Sequence, residues 1–167
     1  MGIAPLTALR VLYEILELPE PSLNANPNPN PNPTRTTTIL VSGGASSVGQ
    51  YVVQLAKLSG LYVIATASER NFDLVRALGA DVVVDYRDPV AAANQIREAA
   101  PGPIEHVADC VAKGTSFEIV AGSLSGGKGT ITYLTLAPYP PVEGVKILNS
   151  IVFDLFGIVR SVLEPIF

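Results

Sequence analysis

From Thr38 onward, short uninterrupted apolar runs alternate with stretches whose apolar residues recur every three or four positions. The short runs are Ile39 to Val41, Leu61 to Thr66 (LYVIAT), Asp81 to Asp85 (DVVVD), Glu105 to Cys110 (EHVADC) and Gly129 to Leu136 (GTITYLTL). They are too brief for helices and rich in β-branched residues, so each predicts a strand. Between them, Val48, Val52, Leu55 and Leu58 share one helical face, as do Phe72, Leu74, Val75 and Leu78. Further helices are expected from Val90 to about Ala99 and from Ser116 to Leu124. The punctuation agrees: Gly60 and Gly79 are helix stops, Ser68 or Asn71 can cap the second helix, and Asp88 with Pro89 makes an N-cap and first-turn pair. Pro101 and Gly102 then stop the third helix.

Strand and helix alternate from β to β through four helices, and the strands lack a polar face. That pattern predicts a parallel sheet covered on both sides, and right-handed crossovers make it a doubly wound α/β fold of the Rossmann nucleotide-binding type. All of residues 1–167 are expected to form one such domain. Its entry helix falls within 1–18, where Pro5 to Leu18 places Ala8, Leu9, Val11, Leu12, Ile15 and Leu16 mostly on one face. Residues 19–37 carry the low-complexity Asn-Pro run SLNANPNPNPNPTRT, which has nothing to bury and is expected to be a flexible loop. Sheet and helices occupy 38–136. Residues 137–167 are strongly apolar, with a sixth strand near Val145 to Val152 and then a terminal helix, and their surface must be covered, possible homodimer pairing included.

Composition narrows the partners. The net charge is −4, with no cluster of Lys or Arg, which argues against nucleic acid or an anionic membrane. No apolar stretch reaches the roughly 18 residues of a membrane span. The first residues lack a basic leader and include Glu14 and Glu17, unlike a signal peptide. A cytoplasmic, reducing setting is the expectation. With one cysteine, Cys110, and one histidine, His106, no structural metal site is expected.

The candidate chemistry starts at Thr38 to Gly60. Strand passes to helix through Gly43 and Gly44, with Gly49 at the start of the helix and Ser46 where the usual G-x-G-x-x-G pattern has its middle glycine. Small residues there could bring a ligand's phosphates to the backbone N–H groups at the positive end of the helix dipole. By itself the same turn is also compatible with a ligand-free strand-to-helix connection. In such folds the residue closing the second strand, about 20 positions beyond the glycines, meets the adenosine ribose, and a carboxylate there selects NAD. Here that residue is Ser68, with Arg70 two positions on, which favours NADP(H). Glu69 lies between them and would favour NAD if it turned inward.

With these residues in hand, the chain resembles the cofactor-binding half of the medium-chain dehydrogenase/reductase superfamily, in its zinc-independent branch of quinone oxidoreductases and enoyl reductases. The trans-acting enoyl reductases of fungal polyketide pathways are the best match. The resemblance rests on GIAPLTAL (Gly2 to Leu9), SGGASSVGQ (Ser42 to Gln50), ATASERNFDLVRALGADVVVDYRDP (Ala65 to Pro89) and ADCV (Ala108 to Val111). It implies that Thr7 lies near the nicotinamide and that Ser46, Ser47 and Val48 line the diphosphate. It also implies that Ser68, Arg70 and Tyr86 hold the 2′-phosphate end, and that Cys110, Leu134 and Thr135 flank the nicotinamide ribose. Family members also carry a GroES-like catalytic domain, which these 167 residues lack. The expected function is therefore an NADP(H)-binding domain of an enoyl-reductase-like protein, truncated and not a reductase alone, with an apolar or polyketide-like small-molecule substrate.

Other titratable residues near the strand ends are His106, Asp109, Cys110, Tyr133 and Tyr139. Of these, His106, Asp109 and Tyr133 are the candidates for general acid-base work in a cofactor-independent cyclase, isomerase or lyase. Cys110 has no base beside it in sequence and reads as a buried thiol. A non-catalytic interaction module built on the apolar terminus is the remaining alternative.

Overall fold

The computed structural model describes residues 2–21, 37–124, 127–135 and 138–150. Its strands are β1 (Thr38–Ser42), β2 (Tyr62–Ala67), β3 (Val82–Asp85), β4 (Ile104–Asp109), β5 (Gly129–Tyr133) and β6 (Val145–Asn149). They form a single sheet in the order β3-β2-β1-β4-β5-β6 with every neighbouring pair parallel. The helices are α1 (Ile3–Leu9), α2 (Ser47–Leu58), α3 (Phe72–Ala77), α4 (Pro89–Ala99) and α5 (Ser116–Ser123). The doubly wound architecture read from the sequence is thus the observed one. The Asn-Pro run at 22–36, and the apolar segment from 151 with its expected terminal helix and dimer contact, lie outside the described residues.

Successive strand residues divide between two cores. Ile39, Val41, Val63, Ala65 and Val83 pack under α1, α2 and α3, whose buried residues include Ala8, Val52, Val53, Ala56 and Val75. Leu40, Ile64, Val84, Val107 and Ile131 face the other way, onto Ala92 and Ile96 of α4 and Ile119 and Val120 of α5. A strand buried on both faces needs apolar residues at every position, hence the uninterrupted runs rather than an alternating pattern.

Local chemistry sets the helix ends. Ser46 caps α2 by accepting the Gly49 N–H at 3.0 Å. The far end closes with Gly60 in the left-handed region (φ 77°), Gly60 N–H donating to Lys57 O and Leu61 N–H to Ala56 O, a Schellman arrangement. Asp88 Oδ1 accepts from both Val90 and Ala91, with Pro89 at the first helical position. The entry helix differs from its expected form: α1 gives way at Arg10 to π-type turns over Arg10–Ile15, and Glu17 ends it at φ 51°. Of the expected apolar face, Ala8, Val11, Leu12 and Leu16 are buried, whereas Leu9 is exposed and Ile15 only partly buried.

His106 sits on β4, half-buried, with Nδ1 enclosed and lacking a hydrogen-bond partner among the described residues. Burial pushes its pKa below 6.5, against a smaller opposing effect from Glu105. The unfolded chain therefore takes up this proton first as pH falls, and the folded state loses stability on acidification through the mid-6 range. Denaturant titrations at pH values from about 7.5 to 5.5 should show a steeper loss for the native chain than for His106→Gln, which has no proton to bind there.

Candidate functional site

The turn between β1 and α2 is tied to β2. Gly43 N–H donates to Thr66 Oγ1 at 3.0 Å and Gly44 N–H to Thr66 O at 2.8 Å. With the Gly49 N–H taken by Ser46, helix geometry leaves the N–H groups of Ser47 and Val48 without intrahelical acceptors, at the positive end of the α2 dipole. The glycines themselves serve the fold. A Cβ on Gly49 would stand 2.2 Å from Gly43 O, and one on Gly43 would stand 2.3 Å from Val111 Cγ2. On Gly44 it would stand 3.0 Å from both Ala65 Cβ and Val75 Cγ1. The space that their small size suggested for a ligand's phosphates is occupied at these three positions by the protein, because the turn is squeezed between β2, α3 and the loop after β4.

Beside this turn, at the carboxyl ends of the strands, opens a cavity of about 590 Å³. It lies where β1 is flanked by β2 on one side and β4 on the other, the switch point at which doubly wound sheets leave a crevice. Gly43, Ala45 and Ser46 of the turn form one wall, while Ser68, Arg70 and Asn71 after β2, with Tyr86 after β3, form a second. Val111, Lys113, Thr115 and Ser116, after β4, close the third. Among the described residues these walls carry two cations, Arg70 and Lys113, and no carboxylate.

Of the residues singled out from sequence, the structure brings Gly43, Ser46, Ser68, Arg70 and Tyr86 together around this cavity. Thr7, Gly44, Ser47, Val48, Gly49, Cys110, Leu134 and Thr135 are not among its lining residues. Thr7 is buried and donates to Ile3 O, Cys110 and Leu134 pack on the core beneath α1 and α2, and Thr135 O accepts from Asn149 Nδ2. Burial, assisted by the Asp109 charge, pushes the Cys110 thiol up and keeps it protonated. Lys113, Thr66, Asn71, Thr115 and Ser116 were missed. For Lys113, Thr115 and Ser116 the available signal was position: VAKGTS directly follows the fourth expected strand, where the carboxyl ends of a parallel sheet gather.

The three acid-base candidates do not reach the cavity wall. Asp109 is fully buried, its Oδ1 accepting from the N–H groups of Val111 and Ala112 and its Oδ2 from the Tyr139 hydroxyl at 3.1 Å. Tyr139 packs edge-on against Phe117 with ring centroids 4.7 Å apart, and against Tyr133 at 5.0 Å. Burial and the neighbouring carboxylate push its phenol up, so it remains the donor. Asp109 thereby shapes the exit of β4, and through it the third wall. Both of its oxygens are engaged in these bonds, and neither lines the cavity.

A six-stranded parallel sheet in this order, with its cavity at the switch point, defines an α/β domain of the Rossmann type. A family model described as zinc-binding dehydrogenase matches residues 47–162. The chain belongs to that family, within the medium-chain dehydrogenase/reductase superfamily, and corresponds to its nucleotide-binding domain. It is 35% identical over 158 residues to a trans-enoyl reductase of Alternaria alternata, covering 95% of this chain and 43% of that protein. A trans-enoyl reductase of Chaetomium globosum is 44% identical over 104 residues, 61% of this chain and 26% of its own length. The chain thus spans under half the length of these relatives. Among solved structures, a mycobacterial protein complexed with NADPH superposes with TM-score 0.71 at 25% identity, over 97% of this chain and 52% of that one. An NAD-dependent alcohol dehydrogenase is as similar in shape, with TM-score 0.71 at 26% identity over 99% of this chain and 47% of that one. Overall likeness therefore does not discriminate between the two nucleotides. Despite the family's description, no three His, Cys, Asp or Glu side chains gather as metal ligands among the described residues, and no helix there is long and apolar enough to cross a membrane.

Two substitutions test the scaffold of the site. Gly49→Ala forces a Cβ onto backbone and should destabilise the chain by about 1–3 kcal/mol in denaturant titration, whereas Gly102→Ala, with open space around it, should be nearly neutral. Tyr139→Phe leaves a buried carboxylate oxygen without its donor and should cost about 1–3 kcal/mol.

Proposed function

We propose that this chain binds NADP(H) across the cavity and serves as the cofactor-binding part of an enoyl-reductase-like oxidoreductase that acts on an apolar, polyketide-like substrate. The observation that carries the reading is the charge of the cavity wall: Arg70 and Lys113 line it, a helix N-terminus opens beside it, and no carboxylate faces in among the described residues. A cavity so lined in a chain of net charge −4 suits a ligand with several phosphates.

In this reading, the first turn of α2 with Ser46 holds the diphosphate. The wall formed by Ser68, Arg70 and Tyr86 holds the adenosine ribose with its 2′-phosphate, Arg70 as the cation and Ser68 and Tyr86 through their hydroxyls. Asn71 Nδ2 donates to Ser68 Oγ at 3.2 Å, which orients that hydroxyl toward accepting from one side and donating from the other. Lys113 and Thr115 close the opposite side. A nicotinamide held there would supply hydride chemistry toward an activated alkene. The chain's own residues bind and orient. Among the described residues no Asp, Glu or His lines the cavity, and its titratable groups Arg70, Tyr86 and Lys113 serve the phosphates and the ribose. The similarity to fungal trans-enoyl reductases supports the substrate class. A cytoplasmic setting and pairing of two copies through the terminal apolar segment belong to the same reading. The cofactor-independent alternative has no support from the geometry, since His106, Asp109 and Tyr133 all lie off the cavity wall.

NADPH at a hundredfold excess over its Kd should stabilise the chain by about 2.7 kcal/mol, read as a rise in Tm, and NADH at equal concentration should do less. Arg70→Ala should weaken NADPH about tenfold while changing NADH little. No shift with either nucleotide would overturn the reading.

A further inference from the structure

The cavity wall after β2 takes its residues selectively from one short turn. Ser68, Arg70 and Asn71 line the cavity and Glu69 does not. The Glu69 carboxylate is directed instead to Arg87, whose Nη2 lies 2.9 Å from Glu69 Oε2. The same guanidinium grips Asp85 at the end of β3: Nε donates to Oδ2 at 2.8 Å, Nη2 donates to that oxygen as well, and the Arg87 backbone N–H donates to Oδ1 at 2.9 Å. Asp85 pairs with Ala67 across the sheet, so it stands beside the residue that precedes Ser68. Two carboxylates therefore flank the corner made by Ser68, Arg70 and Tyr86, and a single arginine holds both.

The charges at this corner decide what it can accept. With Arg87 in place, Glu69 and Asp85 are balanced by Arg70 and Arg87. Without it, Arg70 alone would face two negative charges, and a dianionic phosphate entering there would be repelled. Glu69, once released, would also be free to reach the ribose hydroxyls as the carboxylate of an NAD site does. We propose that Arg87 is a specificity-determining positioning residue: by drawing Glu69 and Asp85 onto itself and away from the cavity, it opens the corner to a 2′-phosphate and withholds the carboxylate that a free ribose would need. This rests on the NADP(H) reading given above and assigns the cause of its selectivity to a residue outside the cavity wall.

Two further observations fit. The Arg87 hydrogen bond holds the Asp85 carboxyl below its usual range, so the pairing favours the charged carboxylate. The side chains of Arg87 and Glu69 are 61% and 72% exposed, and ion pairs so placed add little to folding stability. Selectivity is then what the arrangement serves, through an arrangement that disfavours the wrong ligand as much as it favours the right one.

The test compares adenosine 2′,5′-bisphosphate with 5′-AMP, two probes that differ only in the 2′-phosphate, by isothermal titration of the 167-residue chain. The native chain should prefer the bisphosphate. Arg87→Gln should lower bisphosphate affinity about five- to tenfold and leave 5′-AMP binding equal or tighter. Adding Glu69→Gln to Arg87→Gln should recover much of that loss, which a merely structural role for Arg87 would not produce. Equal weakening of both probes, no change in either, or no recovery in the double variant would overturn the proposal while leaving the NADP(H) reading intact. Should Arg87→Gln fail to fold by circular dichroism, Glu69→Gln alone decides: it should hold or raise the bisphosphate preference, and a selective loss overturns the proposal. A native chain that binds neither probe overturns the NADP(H) reading, and this proposal with it.

Discussion

The structure depends most on a close approach of backbone to backbone. The turn leaving β1 is pressed so tightly against the start of α2 that a single methyl group on Gly49 would overlap the carbonyl of Gly43. Thr66 holds the same turn from β2 through its hydroxyl and its carbonyl, and Val111 closes over Gly43 from the loop after β4. Three strands thus converge on a few small residues. The convergence fixes where α2 begins, and with it the direction of the helix's positive end. The cavity is what remains between these strand ends once the turn has been packed, so its position follows from the packing.

Around that cavity the chain keeps its charges apart. The buried carboxylate of Asp109 is spent on holding the loop after β4, with the Tyr139 hydroxyl and two backbone N–H groups satisfying it. The carboxylates of exposed Glu69 and partly buried Asp85 are engaged by Arg87. What is left facing the cavity is the positive remainder, Arg70 and Lys113. An acidic protein has thereby arranged a locally cationic recess, by directing acids elsewhere more than by adding bases.

Much of this was legible in the sequence because the fold obeys short-range rules. Continuous apolar runs announced a sheet buried on both faces, and Gly60, Gly79 and the Asp88-Pro89 pair marked helix ends that the structure confirms at the level of individual hydrogen bonds. Gly43, Ser46, Ser68 and Arg70 were found at the cavity because they follow strand ends at the expected spacing, and Tyr86 was found through the family resemblance. Lys113 escaped notice because its importance comes from β4 lying beside β1, a long-range adjacency that no local pattern displays. For the same reason Asp109 looked available for chemistry: its partner Tyr139 is thirty positions away. The π-type winding of Arg10–Ile15 was invisible because Val11, Leu12 and Leu16 are buried as an α-helix would also have them.

The strand order also governs how the chain can assemble. In a sheet ordered β3-β2-β1-β4-β5-β6, β1 sits near the centre, and its two neighbours arrive at very different times along the chain. Thr38 meets Tyr62 after one helical crossover, but meets Ile104 only after three, with β2 and β3 intervening. One half of the sheet can therefore close on short loops while the other waits for a long one, whose closure entropy must be met before any contact rewards it. The cavity lies along that late seam. Until β4 docks, the turn after β1 has its tie to Thr66 but no Val111 above it, and the recess lacks its third wall.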